Sequence, residues 1–324
     1  MSALPTSARR TRGPDLSRAA QTGLAVWIVV AILVAGLTVV DPSGFWASAN
    51  IANVLVGTVV LGLVSLGQHL VALSGGIDLS VGSMATLSAL LTALLINGYP
   101  IRTLPVILGL LALGAAVGVG HGLLVTKAGV APFVVTLSTF YLLQGVAFLI
   151  STTPGGLVTT VLSGIALNSW GPIPQALPVL VVTVLVVALL LHRTAWGRHL
   201  YAAGGNAESA RSAGIPVTKT VTYAYLASGL LAALAGIILA ARATVGSPTA
   251  GEGLELSAIT VVVVGGTSLL GGRGSLVGVL GGVTLLAILE SSFTLLQIPS
   301  STTDLIRGLV ILAAAAIFVT RSPR

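Results

Sequence analysis

The sequence predicts an all-α integral membrane protein of about ten transmembrane helices, and three observations carry that expectation. Charge is scarce: Asp, Glu, Lys and Arg make up 7% of the 324 residues, while apolar residues make up 55%. A soluble domain carries roughly 25% charged residues to cover a water-facing surface, a need that lipid does not impose. Mean hydropathy is +1.06. The apolar residues also fall into runs near the length of about 20 residues that crosses a bilayer. Finally, the basic residues cluster in alternate connections between those runs.

In chain order the predicted spans are 22–40, 51–73, 79–96, 104–126, 131–150, 176–192, 219–241, 256–270, 275–297 and 303–320. Turn chemistry separates them at Asp41-Pro42-Ser43-Gly44, Asn97-Gly98-Tyr99-Pro100 and Gly171-Pro172-Ile173-Pro174. The third and eighth runs are short. With a cytoplasmic N-terminus, Arg9, Arg10, Arg12, Arg18, Lys127, Arg193, Arg198, Arg211, Lys219, Arg273, Arg321 and Arg324 fall inside. Only Arg102, Arg242 and Arg307 fall on the other face, so the positive-inside bias fixes an N-in, C-in orientation. A basic start, an apolar run and Ala47-Ser48-Ala49 also fit a cleaved signal peptide. The run 23–40 is longer than the usual apolar core of such a peptide, and Asp41-Pro42 intervenes, so an uncleaved first span is expected. The chain then divides into a cytoplasmic tail (1–21), one transmembrane domain (22–320) with a cytoplasmic loop at 193–218, and a cytoplasmic tail (321–324).

A short repeat organises the domain. Gly76-Ile77-Asp78-Leu79-Ser80 recurs 177 residues later as Gly253-Leu254-Glu255-Leu256-Ser257, each copy following a long apolar run and opening a short one. The topology sets the first copy at the cytoplasmic side and the second at the outer side, an inverted repeat of spans 2–5 and 7–10 joined by span 6. Short, glycine-flanked segments at matching places in two halves point to a transport pathway. A helix that starts at depth exposes N–H groups, and Asp78 or Glu255 in the first turn supplies acceptors for them. Whether these acids only cap helices or also meet a solute stays open on the residues alone. Gly75, Gly76, Asp78, Ser80, Phe133, Gln144, Glu255 and Ser257 are the candidate break and pathway residues.

Other chemistry is excluded. The absence of cysteine removes disulfides and thiolate sites. Lys127 and Lys219 each follow Thr, outside any phosphate loop, so the chain has no nucleotide site of that kind and no cofactor of its own. His69, His121, His192 and His199 lack zinc-ligand spacing. His69 and His121 fall within spans, where hydrogen bonding between helices is expected. The net charge of +7 is explained by the cytoplasmic connections; with no basic stripe interleaved with aromatics, nucleic acid is not an expected partner. No catalytic set is present, so the chain is not expected to be an enzyme.

The loop from Arg193 to Lys219 contains a predicted short helix at 207–213, capped by Asn206 and ended by Gly214 and Pro216. Such a helix, held between two spans, is either a lever for a soluble partner or an idle surface element. Here the residues resemble a known family. Ser74-Gly75-Gly76-Ile77-Asp78-Leu79-Ser80-Val81-Gly82-Ser83, Ala131-Pro132-Phe133-Val134-Val135-Thr136-Leu137, the stretch from Gly197 to Gly214, Ser247-Pro248-Thr249-Ala250-Gly251, and Val264-Gly265-Gly266-Thr267-Ser268-Leu269-Leu270-Gly271-Gly272-Arg273-Gly274 occur in order. They are similar to the permease subunits of ribose-type, monosaccharide ABC importers, a superfamily shared with branched-chain amino-acid permeases. The resemblance covers nearly the whole chain from about residue 45.

That resemblance implies a permease of the vitamin B12-importer-like type in a bacterial cell membrane, paired with a second permease copy. It implies two cytoplasmic ATP-binding subunits, which carry the ATP and Mg, and an extracytoplasmic substrate-binding protein. It also implies that Gly204, Gly205, Asn206, Glu208, Ala210, Arg211 and Gly214 form the element that couples to the ATPase. The chain departs from the family's usual pattern at Gln144 (often Arg), His121 (often Asn), Ser257 (often Asp) and Glu290 (usually an amide), positions that bear on substrate choice. Branched-chain amino-acid or nucleoside permeases remain the alternative within the class. Outside it stands an ion-driven secondary transporter, which has no need of a docking helix.

Overall fold

In a computed structural model, the structure describes residues 16–298 together with the separate positions 302, 305, 308 and 309. The predicted span 303–320 otherwise lies outside the described residues, as do residues 1–15 and 321–324. The described chain is helical except for one two-residue hairpin. In order the elements are α1 (Leu16–Val40), α2 (Pro42–Phe45), α3 (Ser48–Leu73), α4 (Ser80–Ile96), α5 (Pro100–Thr126), α6 (Pro132–Ile150), α7 (Thr160–Leu167), β1 (Ser169–Trp170), β2 (Ile173–Pro174), α8 (Leu177–Arg193), α9 (Ala195–Gly205), α10 (Ala207–Ser212), α11 (Val217–Ala243), α12 (Leu254–Val264) and α13 (Leu276–Leu295).

Among the described residues, five helices are long and apolar enough to cross a membrane: α3, α5, α6, α11 and α13. Counting the bent pair α8–α9 as one span raises the number to six. Residues 25–40 of α1, with α4 and α12, are apolar but shorter. For the first nine runs the helix ends lie within a few residues of the predicted ones except at the eighth, where the helix stops at Val264 rather than reaching 270, and the tenth run lies outside the described residues. Gly265 and Gly266 stop it: Gly266 has φ +80°, and Gly265 lies against the Gly278 backbone, where a Cβ would come within 2.7 Å.

The bundle is built around α3 and α11, the helices that precede the two repeat copies. The most apolar stretch of α11 is 72% buried, whereas that of α5 is 17% buried and presents its other side outward. Leu63, Val64, Leu66, Leu70 and Leu73 of α3 pack with Ala224, Ala232 and Ala235 of α11 in the main core. Glycine lets α5 close on α11. A Cβ at Gly114, Gly118 or Gly122 would overlap Gly229, Tyr225 or Thr222 respectively, so the spacing of four puts small residues at each crossing point. On the far side, α1 packs on α13, with the Trp27 indole N–H donating to the Val277 carbonyl at 3.2 Å.

The segment 151–175, which lacks a long apolar run, is more ordered than its sequence signals. Thr159 accepts from the Leu162 N–H at 3.4 Å to start α7. Gly171, at φ +65°, turns the hairpin. Gly155 and Gly246 exchange backbone bonds of 2.8 and 2.9 Å, and Leu157 donates to Ala93 at 3.0 Å, which staples the C-terminal ends of α4 and α11.

Candidate functional site

The first helix break follows α3. Gly75 adopts φ +82°, and Gly76 lies so close to Tyr225 that a Cβ would overlap its hydroxyl. The chain re-enters helix at Ser80 under the control of Asp78, which is fully buried. Asp78 Oδ1 accepts from the Ser80 N–H at 3.0 Å and the Ser80 hydroxyl at 2.6 Å. Its Oδ2 accepts from the Ser228 hydroxyl on α11 at 2.8 Å. The Asp78 N–H donates to Gln68 Oε1 at 3.3 Å, and the Thr136 hydroxyl on α6 donates to the Ile77 carbonyl at 3.0 Å. One carboxylate, two residues before α4, therefore accepts from that helix's first N–H and ties it to α11, which satisfies these buried donors.

The second break lies deeper than the sequence implies. From Thr244 to Gly253 the chain folds back along α4: Gly246 sits against Leu90 and Gly251 against Gly82. The Gly251 N–H donates to Thr86 Oγ1 at 2.9 Å, while that hydroxyl donates to the Gly82 carbonyl at 3.0 Å. Gln144 on α6 holds the segment from the other side, its Nε2 donating to the Pro248 carbonyl at 2.8 Å. Glu255 in the first turn of α12 is consequently buried beside Gly82, where any Cβ would overlap Glu255 Oε2. The two repeat copies are therefore neighbours inside the bundle, and the expected placement on opposite sides is corrected. Ser257 is buried in the same turn region, its N–H donating to the Gly253 carbonyl at 3.0 Å.

Around these breaks lies a layer of polar side chains with unused bonding capacity. Gln68 Nε2, Tyr225 Oη, His121 Nδ1, Ser65 Oγ and Glu255 Oε2 are buried without a hydrogen-bond partner among the described residues. His121 Nε2 stands 2.9 Å from the Thr139 hydroxyl, and its ring meets Tyr225 edge-on at 6.0 Å. Gln68 and Tyr225 escaped the sequence reading, although a polar residue inside an apolar span is itself a signal. Phe133 is not brought to this layer; it is exposed at the start of α6. Glu290 lies partly buried near the C-terminal end of α13.

The cytoplasmic loop of the sequence analysis is in fact two helices. α9 bends 74° from α8 at Thr194, whose hydroxyl accepts from the Gly197 N–H at 3.3 Å. Asn206 Oδ1 then accepts from the Ser209 N–H at 2.8 Å and starts α10, the cap expected from the sequence. Gly214, at φ +80° and open to solvent, ends it. Ala203 and Ala210 are buried in a small core with Val71, Val221 and Tyr225, while Gly205, Glu208 and Arg211 are exposed. Gly204 faces inward, so close to α3 that a Cβ would overlap the Leu73 carbonyl. Beside this contact lies a cavity of about 180 Å³, lined by Gly75, Gly76, Ala207, Arg211 and Tyr225 among others.

An apolar helical bundle with two buried helix breaks and an angled helix pair against one of them defines a multi-pass membrane permease. The chain belongs to the family described as "Branched-chain amino acid transport system / permease component", which matches residues 50–315. It is therefore a transport component and not an enzyme. It is 40% identical over 293 residues to the ribose import permease protein RbsC of Bacillus subtilis, covering 88% of this chain and 89% of that protein. It is 38% identical over 296 residues to RbsC of Escherichia coli K12, covering 90% and 91%. With the fructose import permease protein FrcC of Rhizobium meliloti it shares 36% identity over 309 residues, covering 90% and 83%. No solved structure matches the chain.

Proposed function

We propose that this chain is the permease subunit of an ATP-binding-cassette importer that moves a monosaccharide across a bacterial cell membrane. The sugar-import roles of these relatives support a sugar as the solute. The observation that carries the driven part is the angled pair α9–α10. Its exposed side offers Glu208 and Arg211 to a soluble partner, and its inner side rests on Leu73 at the end of α3. A push on α10 therefore reaches the first helix break through backbone contact. In this reading two ATPase subunits, holding the ATP and Mg, close beneath a pair of permeases and rock them between outward-open and inward-open states. A binding protein delivers the sugar from outside. Ten spans, cytoplasmic termini and the vitamin B12-importer-like arrangement complete the proposal.

Uptake in proteoliposomes tests it. With the ATPase subunits and binding protein present, labelled ribose or fructose is expected to accumulate only when ATP is supplied. Accumulation by the permease alone in an ion gradient would instead establish a secondary transporter. The family's description favours one second reading, a branched-chain amino acid as solute; a ligand screen of the cognate binding protein with pentoses, hexoses and leucine separates the two.

A further inference from the structure

The turn between α12 and α13, residues 265–275, has no role in the coupling scheme above, yet it lies between the two elements that scheme connects. Toward α9, the Tyr201 hydroxyl donates to the Gly274 carbonyl at 3.4 Å. A Cβ at Gly271 would come within 2.5 Å of the Gly204 carbonyl oxygen, and one at Gly272 within 2.6 Å of Gly205 Cα. Toward α3, the Gly272 N–H donates to the Leu73 carbonyl at 3.0 Å. Thr267 Oγ1 and His69 Nδ1 are 2.9 Å apart in a fully buried contact. Gly271 and Gly75 also touch, a Cβ on the former falling 2.9 Å from Cα of the latter.

The turn is internally braced as well. Ser268 donates its N–H to the Arg273 carbonyl at 2.9 Å, and its hydroxyl accepts from the Leu270 N–H at 3.2 Å. Gly271 and Gly272, at φ +89° and +70°, hold a left-handed path that any other residue would strain. A braced turn with bonds to both sides moves with its neighbours, because close-packed backbone transmits displacement with little compression.

We infer that the 265–275 turn is a transmission clasp: it carries displacement of α9 to the end of α3 and to α12, with Tyr201 and Thr267 as its positioning residues. This extends the coupling function proposed above to the second half of the molecule, since α12 bears Glu255. It rests on that coupling function.

The test uses the assembled importer in proteoliposomes and reads solute taken up per ATP hydrolysed, a ratio that a purely structural contact does not move. Tyr201→Phe and Thr267→Val each remove one bond without adding bulk. Each is expected to lower the ratio about twofold, and the double variant about fivefold, the range over which residues along a coupling route act. Gly272→Ala, which drives a methyl into Gly205, is expected to lower it about tenfold. If Gly272→Ala does not assemble, the double variant decides. A double variant that assembles with the ATPase and keeps the wild-type ratio overturns the clasp. Failure of the coupling function itself looks different: uptake then proceeds without the ATPase subunits, whatever the state of the turn.

Discussion

Asp78 and Glu255 occupy matching places in the two repeat copies, each near the first turn of a helix that begins inside the bundle. Asp78 spends both oxygens on neighbours, accepting from two groups of Ser80 and from Ser228. Glu255 leaves Oε2 without a hydrogen-bond partner among the described residues and presses it against Gly82. The first acid is thus committed to holding α3, α4 and α11 together. The second keeps bonding capacity in reserve, next to the segment 244–253 that only a few polar contacts hold in place. The same five-residue pattern holds a fully bonded acid in one half and a partly bonded one in the other.

The largest test of that contrast is Asp78→Ala. Removing the carboxylate strands three buried donors, at about 1–3 kcal/mol for each group left without a partner. The expected result is loss of most folded, monodisperse protein after detergent extraction. Asp78→Asn, which keeps an acceptor oxygen for part of the network, should recover a fraction of it. Wild-type yield and uptake from Asp78→Ala would show that the first break does not depend on its acid.

Much of this architecture is legible in the sequence, for identifiable reasons. Span positions follow from apolar run length, and the α10 start follows from Asn206, because a cap is a local interaction. The depth of the second motif is not local. It depends on Gly246 fitting Leu90 and Gly251 fitting Gly82, contacts between residues more than a hundred positions apart, so the run order alone placed Glu255 on the wrong side of the first copy. α9 was hidden because its basic residues and glycines read as loop, although Thr194 offers a cap and Leu200 and Ala203 form a buried stripe at helical spacing. Gly114, Gly118 and Gly122 stand four apart in the sequence, a spacing whose meaning lies only in the α11 backbone they face. Asp78 and Glu255 were recognised as a pair, yet their different degrees of satisfaction are set by Ser228 and Gly82, which no spacing rule names.

Glu255→Gln and Gly82→Ala sharpen the contrast at intermediate size. The amide keeps the shape of the side chain and removes its ionisable group, so folded yield is expected to stay near wild type while the uptake rate changes severalfold. A Glu255→Gln variant that lowers yield as Asp78→Ala does would mean that the second acid is also a structural joint. Gly82→Ala forces the carboxylate away from α4, with a cost of about 1–3 kcal/mol for overpacking a filled site. A lower midpoint in thermal unfolding is expected, together with slower uptake.

The smallest effect is expected at Gln144, and it bears most directly on how firmly the second break is held. Its Nε2 bond to the Pro248 carbonyl joins α6 to the segment 244–253. Gln144→Ala removes one partly buried hydrogen bond, worth about 1 kcal/mol, and leaves the Gly251–Thr86 bond in place. Folding should be almost unaffected. Loosening should instead be confined to that segment, seen as faster amide exchange at Gly246 and Gly251 relative to the amides of α3. If exchange there stays as slow as in wild type, the Gly155–Gly246 and Gly251–Thr86 bonds and the glycine contacts with α4 hold the segment without Gln144, and the second break is as rigid as the first.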